Sequence, residues 1–291
     1  MTPSRTPTAA DSGTFTLGGD LTVRRLGFGA MRLTGAGLWG PPRDRDAARA
    51  ILRRAVDLGV NLIDTADAWG PGVSEELIAE ALYPYPQGLV ITTKGGVLSP
   101  SPEQRVPDGR PEHLRTALEG SLKRLRMDCI DLYQLHRPDP NVPFEDSVAA
   151  LAELQRAGKI RHIGLSNVTA EQLARGRRIV PIVSVENRYG LTDRGAEVVV
   201  EICTRDGLAF QPVAPLAAGG LARGDGELDQ IARRHQASSA QIALAWLLQR
   251  SPVILPIPGT SSVRHLEENV AASGIRLTQD EFERLRDSRW Q

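Results

Sequence analysis

Strand-like and helix-like segments alternate along nearly the whole chain, and this alternation limits the fold more than any other feature of the sequence. Eight short apolar runs are separated by amphipathic stretches. The runs are Leu26–Met31, Val60–Asp64, Leu89–Lys94, Ile130–His136, Ile160–Leu165, Ile182–Glu186, Ala209–Val213 and Val253–Pro256. The stretches include Arg45–Leu58, Ser74–Leu82, Pro111–Leu125, Phe144–Ala157, Ala170–Ile179, Ala196–Asp206 and Ser239–Gln249. Eight strand–helix units predict a (β/α)8 TIM barrel, an α/β fold, with a doubly wound sheet as the weaker alternative.

Both ends of the chain carry additions to the predicted barrel. Thr14–Leu17 and Leu21–Arg25 flank a Gly-Gly-Asp turn and predict an N-terminal β-hairpin. Leu277–Trp290 predicts an extra C-terminal helix. We expect the polar residues 1–13 to be disordered and residues 14–291 to form a single barrel domain.

Composition limits the possible partners. Lys plus Arg equals Asp plus Glu, 35 each, so no net charge attracts nucleic acid or an anionic membrane. The chain has no apolar leader and no uncharged apolar run of about 18 residues. Its two cysteines, Cys129 and Cys203, lie within predicted elements, which favours reduced thiols over a disulfide or metal site. We therefore expect a cytoplasmic protein, monomeric or weakly self-associating, that acts on a small molecule without a metal.

Polar and ionisable residues recur where five successive predicted strands end. In a TIM barrel the active site is built at the carboxyl ends of the strands. A single polar residue there is as easily explained by the fact that a strand end tolerates any polar side chain. For five successive strand ends, a shared site is the better explanation. The residues are Asp64, Lys94, His136, Ser166 with Asn167, and Glu186.

Several motifs resemble those of the aldo-keto reductase family, and the bacterial branch of that family is the closest match. The chain has Gly-Phe-Gly-Ala-Met at 27–31, Asp-Leu-Tyr-Gln-Leu-His-Arg-Pro-Asp at 131–139 and Gly-Leu-Ser-Asn at 164–167. The resemblance implies NADP(H)-dependent carbonyl reduction by an Asp, Tyr, Lys and His tetrad. Asp64, Lys94 and His136 match three of its members. A lysine ammonium lowers the pKa of the tyrosine acid, the aspartate holds the lysine, and the histidine orients the carbonyl.

The resemblance also implies a set of cofactor and substrate contacts. The segment Pro-Gly-Thr-Ser-Ser at 258–262 and the residues that follow it match the part of the family that holds adenine and the 2′-phosphate. Trp39, in a glycine-rich loop, Trp69 and Arg137 are the candidate substrate contacts. The candidate cofactor contacts are Gly29, Ala30, Met31, Ser166, Asn167, Glu186, Ala214, Pro215, Leu216, Gly259, Thr260, Ser261, Ser262, His265, Glu268 and Asn269.

Three departures from the family pattern fall at the nicotinamide end of the predicted site. Trp69 stands where the tyrosine acid is expected, and an indole N–H donates a hydrogen bond but is no acid near pH 7. Glu186 stands where a glutamine is usual, and its charge would favour the oxidised, cationic ring. Ala214 stands where an aromatic residue commonly stacks on the nicotinamide.

These departures leave three functions open. The leading interpretation is an NADP(H)-dependent oxidoreductase of small carbonyl or alcohol substrates, with His136 or a water supplying the proton. The second is a redox-neutral tailoring enzyme that isomerises, dehydrates or cyclises its substrate through general acid–base catalysis. The third is a non-catalytic, NADP(H)-binding regulatory protein. The retained Lys94 and His136 argue against the third.

Overall fold

A parallel sheet curls into a barrel that is surrounded by helices. In the computed structural model, residues 6–213 and 226–288 are described. The parallel strands are β3 (Phe28–Gly29), β4 (Leu62–Asp64), β5 (Val90–Gly95), β8 (Ile130–Leu135), β9 (Ile160–Ser166), β10 (Ile182–Arg188) and β11 (Ala209–Val213). They are ordered as in the chain, each paired in parallel with the next. Two antiparallel hairpins lie outside this sheet, β1 (Thr14–Leu17) with β2 (Leu21–Arg24), and β6 (Val97–Ser101) with β7 (Gln104–Pro107).

Helices follow the strands along the chain. In the described part of the chain they are α1 (Arg45–Asp57), α2 (Val73–Leu82), α3 (Pro111–Leu125), α4 (Phe144–Arg156), α5 (Ala170–Gly176), α6 (Glu197–Asp206), α7 (Glu227–Arg234), α8 (Ser239–Arg250), α9 (Val263–Ala271) and α10 (Gln279–Asp287). All of those described except α7 and α9 were predicted from the sequence. Side-chain caps fix several starts: Asp44 accepts from the Ala47 N–H, and Ser238 and Thr278 form capping boxes with Gln241 and Glu281. The predicted C-terminal helix is therefore present as α10.

The eighth predicted strand closes the barrel with few hydrogen bonds. On one side the Phe210 N–H donates to Val253 O, and the Leu255 N–H donates back to Phe210 O, at 2.9 and 2.8 Å. On the other side the Gly27 N–H donates to Pro256 O at 2.9 Å. Because Pro256 and Pro258 have no N–H to donate, the segment forms a bridge and no regular ladder. The TIM-barrel prediction is confirmed, with its eighth strand reduced to this bridge.

Two apolar cores stabilise the barrel. The outer core lies between the strands and the helices, and Trp246 on α8 is its largest fully buried side chain. The inner core fills the amino-terminal end of the barrel. It combines Leu17, Leu21 and Val23 of the first hairpin with barrel residues such as Leu62, Val90 and Leu132. The hairpin therefore closes the end of the barrel opposite the predicted site.

Some segments differ from the expectation. Disorder through residue 13 is wrong for the stretch after Thr8: Ala9–Ser12 form a short 3-10 helix, capped by Thr8 and Asp11, with Ala9 fully buried. The burial of Ala9 and hydrogen bonds to Leu58 O, the Leu26 N–H and the Ser273 hydroxyl attach this polar segment to the barrel. The hairpin of β6 and β7 was not predicted. No helix in the two described ranges is long and apolar enough to cross a membrane, and both cysteines are free thiols.

Candidate active site

Lys94 lies at the centre of the carboxyl-end face and is held by oxygen atoms. Its Nζ donates to both carboxyl oxygens of Asp64, at 2.6 and 2.7 Å, and to Thr65 O at 2.9 Å. The lysine is 1% exposed. Burial disfavours its ammonium, but the charges of Asp64 and Glu186 outweigh this effect and raise the pKa of Lys94. Lys94 is therefore a fixed cation, and the predicted proximity of Asp64 and Lys94 is present.

Glu186 brings a second carboxyl group to the same lysine. Glu186 lies on β10, and its side chain reaches across the barrel to place Oε2 3.1 Å from Lys94 Nζ. Burial and then the neighbouring charge of Asp64 raise the pKa of Glu186, against the pull of Lys94, to about 8. Burial also raises the pKa of Asp64, which Lys94 opposes. The three side chains thus form one buried cluster with two carboxyl groups and a single ammonium.

His136 lies beside this cluster and contacts Trp69. The two ring centroids are 5.2 Å apart and the planes meet at 79°, an edge-to-face contact. Burial and then the charge of Lys94 lower the pKa of His136 to about 3. The imidazole is therefore neutral near pH 7, where it donates or accepts a hydrogen bond but is not the proton source that its ordinary pKa suggested. Its Nδ1 has no hydrogen-bond partner in the described chain.

Ser166 and Asn167 connect the ends of three strands. Asn167 has a φ of +57°, a left-handed conformation that asparagine tolerates well. Its side-chain amide donates to His136 O and to Ser166 Oγ, both at 3.0 Å, and its backbone N–H donates to Glu186 O at 2.9 Å. This residue therefore fixes the edges of β8, β9 and β10 around the cluster, with its own side chain exposed to the mouth of the barrel.

The predicted adenosine-end residues lie where α9 begins. Ser262 caps α9 by accepting from the His265 N–H, and Thr260 Oγ1 accepts from the Ser262 N–H at 3.1 Å. A Cβ on Gly29 would lie 2.7 Å from Ile257 O, and a Cβ on Gly259 would lie 2.7 Å from Gly29 O, so the backbone packing at both positions requires glycine. Ser261, Glu268 and Asn269 lie in or beside the same helix, whereas Ala30 and Met31 open the 3-10 helix after Gly29. A helix N-terminus with free N–H groups is suited to bind phosphate.

Sequence reasoning missed Arg264, the cation in this segment. Its side chain is largely exposed, its Nη1 lies 2.5 Å from Glu268 Oε1, and its Nη2 lies 2.8 Å from His265 Nε2. The signal was present in the sequence, since the arginine lies between two of the named residues. Arg264 places a positive charge at the start of α9.

The predicted substrate contacts occupy the rim of the barrel. Trp39 is half-buried in a loop that is attached to the Trp69 loop, since the Gly70 N–H donates to Leu38 O at 2.9 Å. Arg105 on β7 also donates to Gly37 O at 3.1 Å. Arg137 is exposed, and the nearby Asp139 carboxyl accepts the backbone N–H groups of Asn141 and Gly109, at 2.8 and 3.0 Å.

Two parts of the prediction stand apart from this geometry. Ala214, Pro215 and Leu216 lie outside the described residues. In the part of the chain that the structure describes, no three His, Cys, Asp or Glu side chains are arranged to hold a metal ion.

Comparison with known proteins gives the class of protein that this fold and site define. The sequence model of the aldo/keto reductase family matches residues 25–289. The chain belongs to this family of oxidoreductases.

Individual relatives match over nearly full length. The chain is 49% identical over 277 residues to an uncharacterized oxidoreductase of Schizosaccharomyces pombe, covering 95% of this chain and 90% of the relative. It is 45% identical over 275 residues to pyridoxine 4-dehydrogenase of Escherichia coli, covering 92% and 96%. An aldo-keto reductase from Klebsiella pneumoniae, solved in complex with NADPH, superposes with a TM-score of 0.79 at 28% identity, covering 94% and 93%.

Proposed function

We propose that the chain is an NADP(H)-dependent oxidoreductase of a small carbonyl compound or alcohol, working without the family's tyrosine acid. The observation that supports this most is the joint position of four side chains. Lys94 is bound to Asp64, and Trp69 packs edge-on against His136. This arrangement supports a site in which three tetrad partners would act together, with an indole in the place beside the histidine.

The cofactor contacts proposed from the sequence fit NADP(H). The start of α9 offers backbone N–H groups and the Arg264 guanidinium to a phosphate. Ser166 and Asn167 would bind the nicotinamide carboxamide, and Glu186 would accept from its N–H. Bound NADPH supplies a hydride to the carbonyl carbon. The neutral imidazole of His136 would donate a hydrogen bond to the carbonyl oxygen and orient it.

The identity of one relative suggests the first substrates to assay. Because the Escherichia coli relative is a pyridoxine 4-dehydrogenase, pyridoxal with NADPH and pyridoxine with NADP+ are the first pair. A panel of simple aldehydes and ketones should accompany them.

The test is an NADPH-oxidation assay with the alcohol product quantified in the same sample. We expect slow turnover with one alcohol formed per NADPH consumed. Product formed without net NADPH consumption would instead support the redox-neutral function. NADPH binding with no conversion of any substrate would support the regulatory function.

A further inference from the structure

Glu186 is a buried carboxyl group whose hydrogen bonding is incomplete when it is ionised. An ammonium has three N–H donors. Those of Lys94 are directed at the two Asp64 oxygens and at Thr65 O. Glu186 Oε2 lies 3.1 Å from Lys94 Nζ, which is ion-pair distance. Because the three N–H groups are directed elsewhere, no donor in the described chain is directed at this oxygen. A buried ionised carboxylate without a directed donor is costly.

Protonation removes this cost. The Asp64 and Glu186 carboxyl groups lie within hydrogen-bonding reach of each other. A protonated Glu186 can donate to Asp64, and the cluster then has one carboxylate for one ammonium and no net charge. The other groups that face Glu186 leave this balance unchanged. Its neighbours in register, Ser166 on β9 and Gln211 on β11, are uncharged, and His136 beside Lys94 is neutral.

We propose that Glu186 stores the proton for carbonyl reduction and passes it through Lys94 to the substrate oxygen. This inference rests on the proposed function. When hydride adds to the carbonyl carbon, the electron pair of the C=O π bond moves to oxygen. Lys94 gives up its bond to Thr65 O, the longest of its three, and donates that proton to the oxygen. Its amine takes the proton of Glu186. The products are the alcohol, NADP+ and an ionised Glu186, which solvent reprotonates after release.

The charges support this sequence of steps. Glu186 becomes anionic in the same turnover in which bound NADPH would supply its hydride and leave a cationic ring beside it. The charge that forms on the ring is therefore balanced by a charge that forms beside it, within a site where electrostatic interactions are only weakly screened. A glutamine at this position would bind the carboxamide equally well but could supply no proton.

The first experiment compares Glu186→Gln in two backgrounds, native and Trp69→Tyr. In the native background we expect kcat at pH 7 to fall by about tenfold or more, as for loss of a positioned acid, while NADPH affinity is retained. In the Trp69→Tyr background, tyrosine supplies the proton, so we expect the same substitution to change kcat by less than about twofold.

The pH dependence of kcat gives a further readout. Native kcat should decline above about pH 8, where Glu186 loses its proton, and Glu186→Gln should abolish that decline. An unchanged or raised kcat for Glu186→Gln in the native background would overturn the inference.

A second experiment needs no turnover. NADP+ favours an ionised Glu186 and NADPH does not, so binding NADP+ at pH 7 should release close to one proton per site. Calorimetry in two buffers of different ionisation enthalpy measures this release. We expect Glu186→Gln to abolish it. The control Asp67→Asn should preserve it. Asp67 is another carboxyl group whose pKa burial raises well above normal, but its side chain makes no hydrogen bond to Lys94 Nζ in the described chain, and its backbone N–H donates to Lys94 O in either variant.

A measurement on the native protein alone covers the case in which Glu186→Gln does not fold. The ratio of NADP+ affinity to NADPH affinity should rise by up to about tenfold per pH unit from pH 6 to 8, as linkage to one proton requires. A flat ratio, or no proton release by the native protein, would overturn the inference. Proton release without any carbonyl reduction would contradict the proposed function and leave the titration of Glu186 established.

Discussion

At the scale of single residues, the site is an unusual arrangement of two acids around one base. The Lys94 ammonium compensates the charge of the Asp64 carboxylate fully and that of an ionised Glu186 only in part. The free energy of unfolding therefore depends on pH. The pKa of Glu186 is raised in the folded state, to about 8. Its favourable contribution is therefore complete below its ordinary pKa of about 4.3 and is lost as pH rises toward 8.

The raised pKa of Glu186 predicts how the free energy of unfolding changes with pH. The native protein should lose stability between about pH 5.5 and about pH 8, and Glu186→Gln, which cannot ionise, should lose less over the same range. Urea midpoints of both proteins at the two pH values measure the difference. Equal losses would mean that Glu186 has an ordinary pKa in the folded protein.

Sequence alone predicts part of this cluster. Asp64 and Lys94 end neighbouring parallel strands, so their proximity follows from the order of the strands. The contact between Glu186 and Lys94 crosses the barrel and depends on how a long side chain fills its interior. Periodicity carries no such information. The low pKa of His136 was likewise hidden, because it arises from burial and from the fixed charge of Lys94.

At the scale of elements, the start of α9 combines a helix N-terminus with an exposed cation. Arg264 has a largely exposed side chain. We expect Arg264→Ala to weaken NADPH binding by about fivefold, roughly 1 kcal/mol, because its contact with a 2′-phosphate is partly screened by solvent. NADH binding should change little.

Fluorescence titration of both cofactors tests this prediction. Arg115→Ala is the matched control, since Arg115 is an exposed arginine paired with Glu153 on the outer helices. If Arg264→Ala weakened NADH and NADPH equally, the 2′-phosphate contact would be excluded.

The elements themselves were predicted unevenly. The start and end of α3 and the strand β11 agree with the sequence pattern residue for residue. The hairpin of β6 and β7 gave no usable signal, because Leu98 and Val106 are exposed and the segment contains three prolines. α7 was not predicted, and α9 was interpreted only as a nucleotide-binding segment.

At the scale of the whole molecule, the two ends of the barrel have different tasks. The amino-terminal end is closed by the apolar side chains of the first hairpin, and the ionisable cluster lies at the carboxyl end. Substitutions at the closed end should therefore change stability and leave chemistry intact.

Leu17→Ala tests this separation. Leu17 is fully buried in the inner core, so its truncation should lower the free energy of unfolding by about 2–5 kcal/mol. Leu98→Ala, at a 42% exposed residue of the other hairpin, should stay within about 0.5 kcal/mol of native. Urea unfolding measures both. We expect kcat per folded molecule to equal the native value in both variants, and a loss of kcat in Leu17→Ala would contradict the separation.

The number of strand–helix units predicted the barrel, whereas the closure could not be read from the chain. Val253–Pro256 matches a strand by its apolar character, but its prolines limit pairing to a bridge. Similarly, the polar sequence of residues 1–13 predicted disorder, whereas Ala9–Ser12 form a 3-10 helix in which Ala9 is buried.

The central claim is that this member of the aldo/keto reductase family retains Asp64, Lys94 and His136 of the tetrad and lacks its tyrosine acid. Steady-state reduction of pyridoxal and simple aldehydes with NADPH by the native protein, Trp69→Tyr and Trp69→Phe tests it directly. A positioned acid contributes about 10²–10⁴-fold. We expect Trp69→Tyr to raise kcat/KM by about tenfold to a hundredfold, less than the full effect because the native cluster already supplies protons. Trp69→Phe, which has no acid, should show no gain. Robust native turnover that Trp69→Tyr leaves unchanged or lowers would contradict the claim.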